Sequence, residues 1–240
     1  MTTVDEWSTE FDILYNNITS NKAPGLTEYE KSVFLTRAQE EVVRSHFSRN
    51  QMDAGIDSSI ERQEDFRSLF VTSSSTLSTT GTIDPRAKAF AYPSRIMFPI
   101  NEQVFCHQGS TSGAIVATLA VKPLSFEEYT RLMQKPYKYP VKGTVWRLLN
   151  NTVTTAAAPV IKAELIAKFP TEYVEYSCRY VQKPYPIILQ TFSNSDYADI
   201  DGSHTQTQCY LPEHLHNEIL VKAVELAKSV WENRTGNKNQ

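Results

Sequence analysis

Two histidines separated by a single residue, His214 and His216, are the first residues of this 240-residue chain whose types suggest chemistry. On a helix opened by Leu211-Pro212-Glu213, positions i and i+2 point about 200° apart, whereas a helical zinc pair needs i and i+4. Cys106, His107 and Cys209 add no recognisable ligand spacing, so no metal site is expected. The acidic run from Asp196 to Gly202 resembles a calcium loop on first count. With Gly202 at the sixth position, Asp199 and Asp201 fall at three and five. Tyr197 then occupies the first position and Gln208 the twelfth, where carboxylates are required. An acidic surface turn is the simpler reading.

Catalytic arrangements fare no better. The carboxylate pairs Glu40–Glu41 and Glu127–Glu128 are adjacent on helices and diverge. The chain has 8 glycines and no nucleophile elbow, phosphate loop or dinucleotide fingerprint. No catalytic residue and no cofactor are assigned. The segment Lys135-Pro-Tyr-Lys-Tyr-Pro-Val-Lys142 interleaves cations with aromatics, as single-strand binders do. It lacks a surrounding basic stripe. Lys135, Tyr137, Lys138 and Tyr139 are therefore read as a proline-ordered loop that contacts a neighbouring subunit.

The bulk numbers fit an ordinary folded protein. Hydrophobic residues make up 40% and charged residues 21%, with a net charge of −3. There is no run of about 18 apolar residues to cross a membrane, and no secretory signal is read at the N-terminus. Three separated cysteines make no disulfide framework. Charge is uneven: residues 1–70 hold 7 Lys+Arg and 13 Asp+Glu, and the remaining residues hold 17 and 14. Either the helical end is a solvated acidic face or it stacks on another protein surface.

The elements that must carry these residues follow from hydrophobic periodicity. Trp7, Phe11, Leu14 and Ile18 make one stripe on a helix from Val4 to Ile18. Pro24-Gly25 breaks the chain, and Thr27-x-x-Glu30 forms a capping box for a second helix running to Phe47. Tyr29, Val33, Phe34, Ala38 and Val42 are its expected inner face. A third helix is expected over 58–70. The hydroxyl-rich stretch 71–82 suits an exposed strand or a mobile loop. Strands are expected over 95–100, 104–106, 114–121, 144–148, 160–166 and 173–181, with a helix from Phe126, capped by Ser125, to Gln134. Leu215, Ile219, Ala223, Leu226 and Val230 stripe the final helix, which Pro212 opens. The expected fold class is α+β: a helical bundle over 1–70, a β-rich central region with one inserted helix over 71–209, a closing helix over 210–232 that packs on the bundle, and a flexible tail over 233–240.

The N-terminal helical pair, with its Pro-Gly break and Phe34-Leu-Thr-Arg-Ala-Gln-Glu-Glu-Val42, resembles the helical start of tailed-phage head–tail adaptor and ring proteins of podovirus-type and crAss-like phages. Tyr180-Val-Gln-Lys-Pro-Tyr-Pro-Ile-Ile-Leu189 and the closing Leu211-Pro-Glu element resemble the same family. The resemblance implies a structural virion protein at the capsid–tail junction, assembled in the host cytoplasm, and no enzyme. It implies a homo-oligomeric ring of roughly twelve copies with two different faces per protomer. Implied partners are the portal protein, tail or further ring proteins, and genomic DNA passing without sequence readout; no membrane is involved. Adaptor tails commonly dock in the portal, which makes Arg234 and Lys238 candidate contacts. A monomeric assembly chaperone, a binding module and an enzyme with an unrecognised site are the alternative classes.

Overall fold

The computed structural model describes residues 4–19, 24–47, 64–135, 139–152, 160–193 and 197–236. The chain forms two compact units, one of residues 1–69 with 183–240 and the other of residues 70–182. The fold is α+β, as the sequence pattern implies. Residues 183–209, read from the sequence with the β-rich centre, belong instead to the helical unit.

The helical unit is built on α1 (Val4–Thr19), α2 (Glu28–His46) and α4 (Glu213–Gly236), with α4 packed on both others. On α1 the buried stripe is Val4, Trp7, Phe11 and Tyr15; Leu14 is half-buried. Thr27 caps α2 as a full capping box: the Glu30 amide donates to the Thr27 hydroxyl at 3.3 Å, and the Thr27 amide donates to Glu30 Oε2 at 2.9 Å. Burial on α2 is rotated from the expected face. Leu35, Ala38, Val42 and Val43 are buried, while Tyr29, Val33 and Phe34 are only half-buried.

The reason for the rotation is polar. Ser32, Thr36 and Gln39 lie on one buried side of α2 and hold the extended chain that follows residue 183. The Leu189 amide donates to Ser32 Oγ at 3.0 Å, the Ile187 amide to Thr36 Oγ1 at 3.1 Å, and Gln39 Nε2 to Cys209 Sγ at 3.6 Å. Ile188 pairs with Thr207, so the amides on either side of it must find acceptors elsewhere, and hydroxyls one helical turn apart supply that need. Ile188, Phe192 and Ile200 form a small core there, with Tyr29 and Val33 against it.

Of the third helix expected over 58–70, positions 58–63 lie outside the described residues. A short helical piece is followed by a 3-10 turn, Arg67–Leu69, and Phe70 already begins a strand. On α4, Leu215, Ile219 and Ala223 are buried as expected, and Val230 is 38% exposed. The helix runs to Gly236, so Arg234 is helical where a flexible tail was expected.

The other unit is one eight-stranded mixed sheet in the order β1-β8-β4-β5-β6-β7-β3-β2. Its strands are β1 (Phe70–Ser75), β2 (Thr79–Thr80), β3 (Lys88–Ala91), β4 (Ile96–His107), β5 (Ile115–Pro123), β6 (Thr144–Thr152), β7 (Val160–Ile166) and β8 (Tyr173–Gln182). All pairings are antiparallel except β5–β6, which a crossover through α3 (Phe126–Met133) connects. The edge strands β1 and β2 are joined by only Thr76, Leu77 and Ser78. Four Cα steps reach about 15 Å at most, whereas eight strands laid flat put their edges ~34 Å apart. The sheet must therefore curl into a barrel-like form.

The inner face carries Phe90, Val104, Cys106, Leu119, Val145, Leu165 and the β8 series Val174, Tyr176, Cys178 and Tyr180. Outside, Leu124, Trp146, Leu148 and Ile166 pack under Tyr129 and Leu132 of α3. Strand β6 is thus buried on both faces. Two expected strands, 95–100 and 104–106, are one strand, β4. Pro99 cannot donate to a ladder, and register shifts against β8 beside it let the strand continue with Glu102 facing inward. Strand β3 was not anticipated from sequence, being only four residues long.

Candidate assembly surfaces

The residues singled out for metal chemistry lie apart. His214 faces Asp65 at 3.1 Å, whereas His216 is 2.9 Å from the Leu211 carbonyl and tilts on the Trp7 ring. His107 ends β4 between the Gly113 carbonyl at 2.9 Å and Glu175 Oε2 at 3.1 Å. Cys106 is enclosed in the sheet core, and Cys209, its thiol pushed up to about 11 by burial, sits in the helical unit. Among the described residues no three His, Cys, Asp or Glu side chains converge as a metal site. In the acidic loop, Asp201 and Gly202 both have positive φ (51° and 76°) between Ile200 and Ser203, which bridge each other. That is the two-residue hairpin Asp-Gly favours. Asp201 is spoken for by Lys183 at 2.7 Å.

Each buried carboxylate has its own partners. Glu164 accepts from the amides of Thr82 and Ile83 at 3.0 and 2.9 Å and from Asn150 Nδ2 at 3.0 Å. Burial alone would raise its pKa, but these hydrogen bonds outweigh it and hold the carboxyl below the ordinary range. Asp84 accepts from Arg86 Nε and Nη2 at 3.0 and 2.8 Å and from the Tyr129 hydroxyl at 3.0 Å. The guanidinium holds Asp84 at about 2. Within the sheet core, Glu102 lies 2.8 Å from Arg147 and near Tyr92 and Cys178. Burial raises the Glu102 pKa against the pull of Arg147. In the helical unit, buried Lys31 reaches Asp12 at 2.7 Å, Glu28 at 3.0 Å and Ser8 at 3.0 Å. Each of these four buried charged groups therefore lies within reach of polar partners in its own unit.

Among the described residues, two open apolar surfaces bear on assembly. On the helical unit a groove of about 540 Å³ runs between α1, α2 and α4, lined by Tyr29, Val33, Phe34, Val230 and Trp231, with Glu30 and Arg37 at its mouth. On the sheet unit, α3 turns Tyr129 and Leu132 inward and leaves Phe126 and Met133 exposed on one flank, at 50% and 41%. An apolar residue at both i and i+7 beside an inward pair was a readable signal that the sequence reading passed over.

Of the residues expected at subunit contacts, Lys135 is exposed just beyond α3, and Tyr139 packs on the outer sheet cluster with Arg86 4.4 Å above its ring. Tyr137 and Lys138 lie outside the described residues. Arg234 occupies the last turn of α4, and Lys238 also lies outside the described residues. Division at the unit boundaries sharpens the charge asymmetry. The helical unit holds 12 Lys+Arg and 20 Asp+Glu, hence −8; the sheet unit holds 12 and 7, hence +5. No described helix is long and apolar enough to cross a membrane.

Comparison with known proteins places these surfaces in context. Residues 1–239 match the family described as phage tail ring protein 3/4. The chain is 42% identical to ring protein 4/5 of Bacteroides phage crAss001 over 236 residues, covering 95% of this chain and 93% of that protein. It is 30% identical to ring protein 3 of the same phage over 239 residues, covering 97% and 98%. The match spans both units, the acidic helical one and the basic sheet, and so the chain belongs to the phage tail ring protein 3/4 family.

Proposed function

We propose that this protein is a structural virion component whose copies close into a ring at the head–tail junction, below the portal. There it extends the channel through which DNA passes and offers a platform to the tail. The observation that carries this reading is the full-length similarity to two ring proteins of one phage that bear different ring numbers. Two related chains of one fold suit rings stacked on a common axis. A ring of about twelve copies needs a different surface on each side of the protomer, and the open groove and the α3 flank lie on units of opposite net charge. DNA crosses such a lumen without sequence readout. Arg234 and Lys238, near the C-terminus, are proposed contacts to the portal.

Native mass spectrometry of the protein, alone and mixed with its portal and neighbouring ring proteins, tests the reading. A complex near twelve copies is expected. Persistent monomers in every mixture would replace it with an assembly chaperone, a monomeric binding module or an enzyme. Deleting residues 234–240 is expected to leave the fold intact and weaken portal binding; unchanged binding removes the C-terminus from the contact.

A further inference from the structure

We propose that, between successive copies, the Phe126–Met133 flank of α3 on one copy seats in the groove between α1, α2 and α4 of the next. This inference rests on the ring reading above and names the contact that builds it.

Four observations converge. Phe126 and Met133 stand seven residues apart, so both project from one flank of α3, and neither is covered by the sheet beneath. Their surroundings are basic: residues 122–142 hold five Lys+Arg against Glu127 and Glu128. The groove, lined by Phe34, Val33 and Trp231, is of a volume that admits the side chains of one helical flank, at about 540 Å³. It belongs to the unit of charge −8, whereas α3 belongs to the unit of charge +5. An apolar knob with a basic surround thus meets an apolar groove on an acidic body, so one contact combines area burial with charge steering. Because knob and groove are different surfaces of the same chain, the contact is heterologous. Repeated, it runs head to tail and closes a ring when the rotation permits. A second copy is therefore the occupant that both charge and symmetry select.

The test uses two single-site cysteine variants in a full-length Cys209→Ser background, where Cys106 and Cys178 stay buried. One carries Thr130→Cys on the α3 flank and the other Arg37→Cys at the groove mouth. Treated with a short thiol–thiol linker, the mixture is expected to yield a linked dimer, and each variant alone is not. In parallel, Phe126→Glu with Met133→Glu is expected to raise the concentration for half-assembly at least tenfold without changing the circular dichroism spectrum or Tm. Phe34→Glu on the groove side should raise that concentration likewise, with a somewhat lower Tm because Phe34 is half-buried. Rings that form in native mass spectra without the mixed cross-link overturn this contact and leave the ring reading standing, including the case where another ring protein fills the groove. Wild-type protein that stays monomeric alone and with its portal and neighbouring ring proteins overturns both.

Discussion

Arg147 Nε stands 2.8 Å from Glu102 Oε2 inside the curled sheet, with side-chain exposures of 7% and 6%. The guanidinium also lies 5.4 Å from the centre of the Tyr92 ring. Buried pairs of this kind cost more to break than to replace. Glu102→Leu or Arg147→Met alone should destabilise the fold by about 3–5 kcal/mol, because each strands a charge without its partner. The double variant should lie closer to wild type than either single one. Urea unfolding of all four proteins decides it, and additive single effects would show that the pair is not coupled.

Asp84 makes stability pH-dependent in acid. Its folded pKa, about 2, lies below the ordinary 3.8, so its contribution is full above pH 3.8 and is lost as pH falls toward 2. The size is about 1–2 kcal/mol, reduced because Arg86 is half in solvent. Asp84→Asn should therefore be less stable than wild type at pH 6, with the gap narrowing between pH 4 and 2. Thermal melts across that range provide the comparison; a gap that stays constant would mean the carboxylate charge is not what Arg86 and Tyr129 recognise.

At Gly81 an added methyl group would lie 2.6 Å from Ala87 Cβ, 2.7 Å from the Asp84 carbonyl and 2.8 Å from Glu164 Oε2. Two of those neighbours are tied down by the Asp84 and Glu164 hydrogen bonds, so relief requires moving the β2–β3 connection. Gly81→Ala should cost about 1–3 kcal/mol by overpacking, seen as a lower urea midpoint. An unchanged midpoint would show that the connection yields freely.

Truncating two phenylalanines of the helical unit should have unequal effects. Phe11 is fully buried, and Phe11→Ala should cost about 3–5 kcal/mol. Phe34, which the periodicity of α2 suggests as a core residue, lines the open groove instead. Phe34→Ala should cost about 1–2 kcal/mol, since only part of its surface is withdrawn from water. Equal costs in denaturant titrations would place Phe34 in the core after all.

Ser32→Ala should be more damaging than its size suggests. The variant leaves the Leu189 amide buried with no acceptor, a loss of about 1–3 kcal/mol. Amide hydrogen exchange at Leu189 should accelerate more than at Leu35 on the same helix. Uniform acceleration would point to global rather than local loosening.

What the sequence determined by itself is local. The Thr27 capping box, the Ser125 cap, the alternation from Val174 to Tyr180 and the first half of the α4 stripe depend on spacings of two to four residues. Hydrogen-bond reach and side-chain period settle such features before any tertiary contact forms. The family was legible too, from the order of short motifs along the chain. What only the tertiary structure decided involves partners far apart in sequence. Ser32, Thr36 and Gln39 look like ordinary polar positions until Ile187, Leu189 and Cys209 arrive, more than 150 residues later, to use them. Their burial turns the inner face of α2 and leaves Phe34 at a groove. Glu102 looks like a strand break until the irregular pairing near Pro99 carries β4 onward and Arg147 meets it inside the sheet. The open flank of α3 has the same origin: helical period says which residues share a face, and only the surface beneath determines which of them stay uncovered.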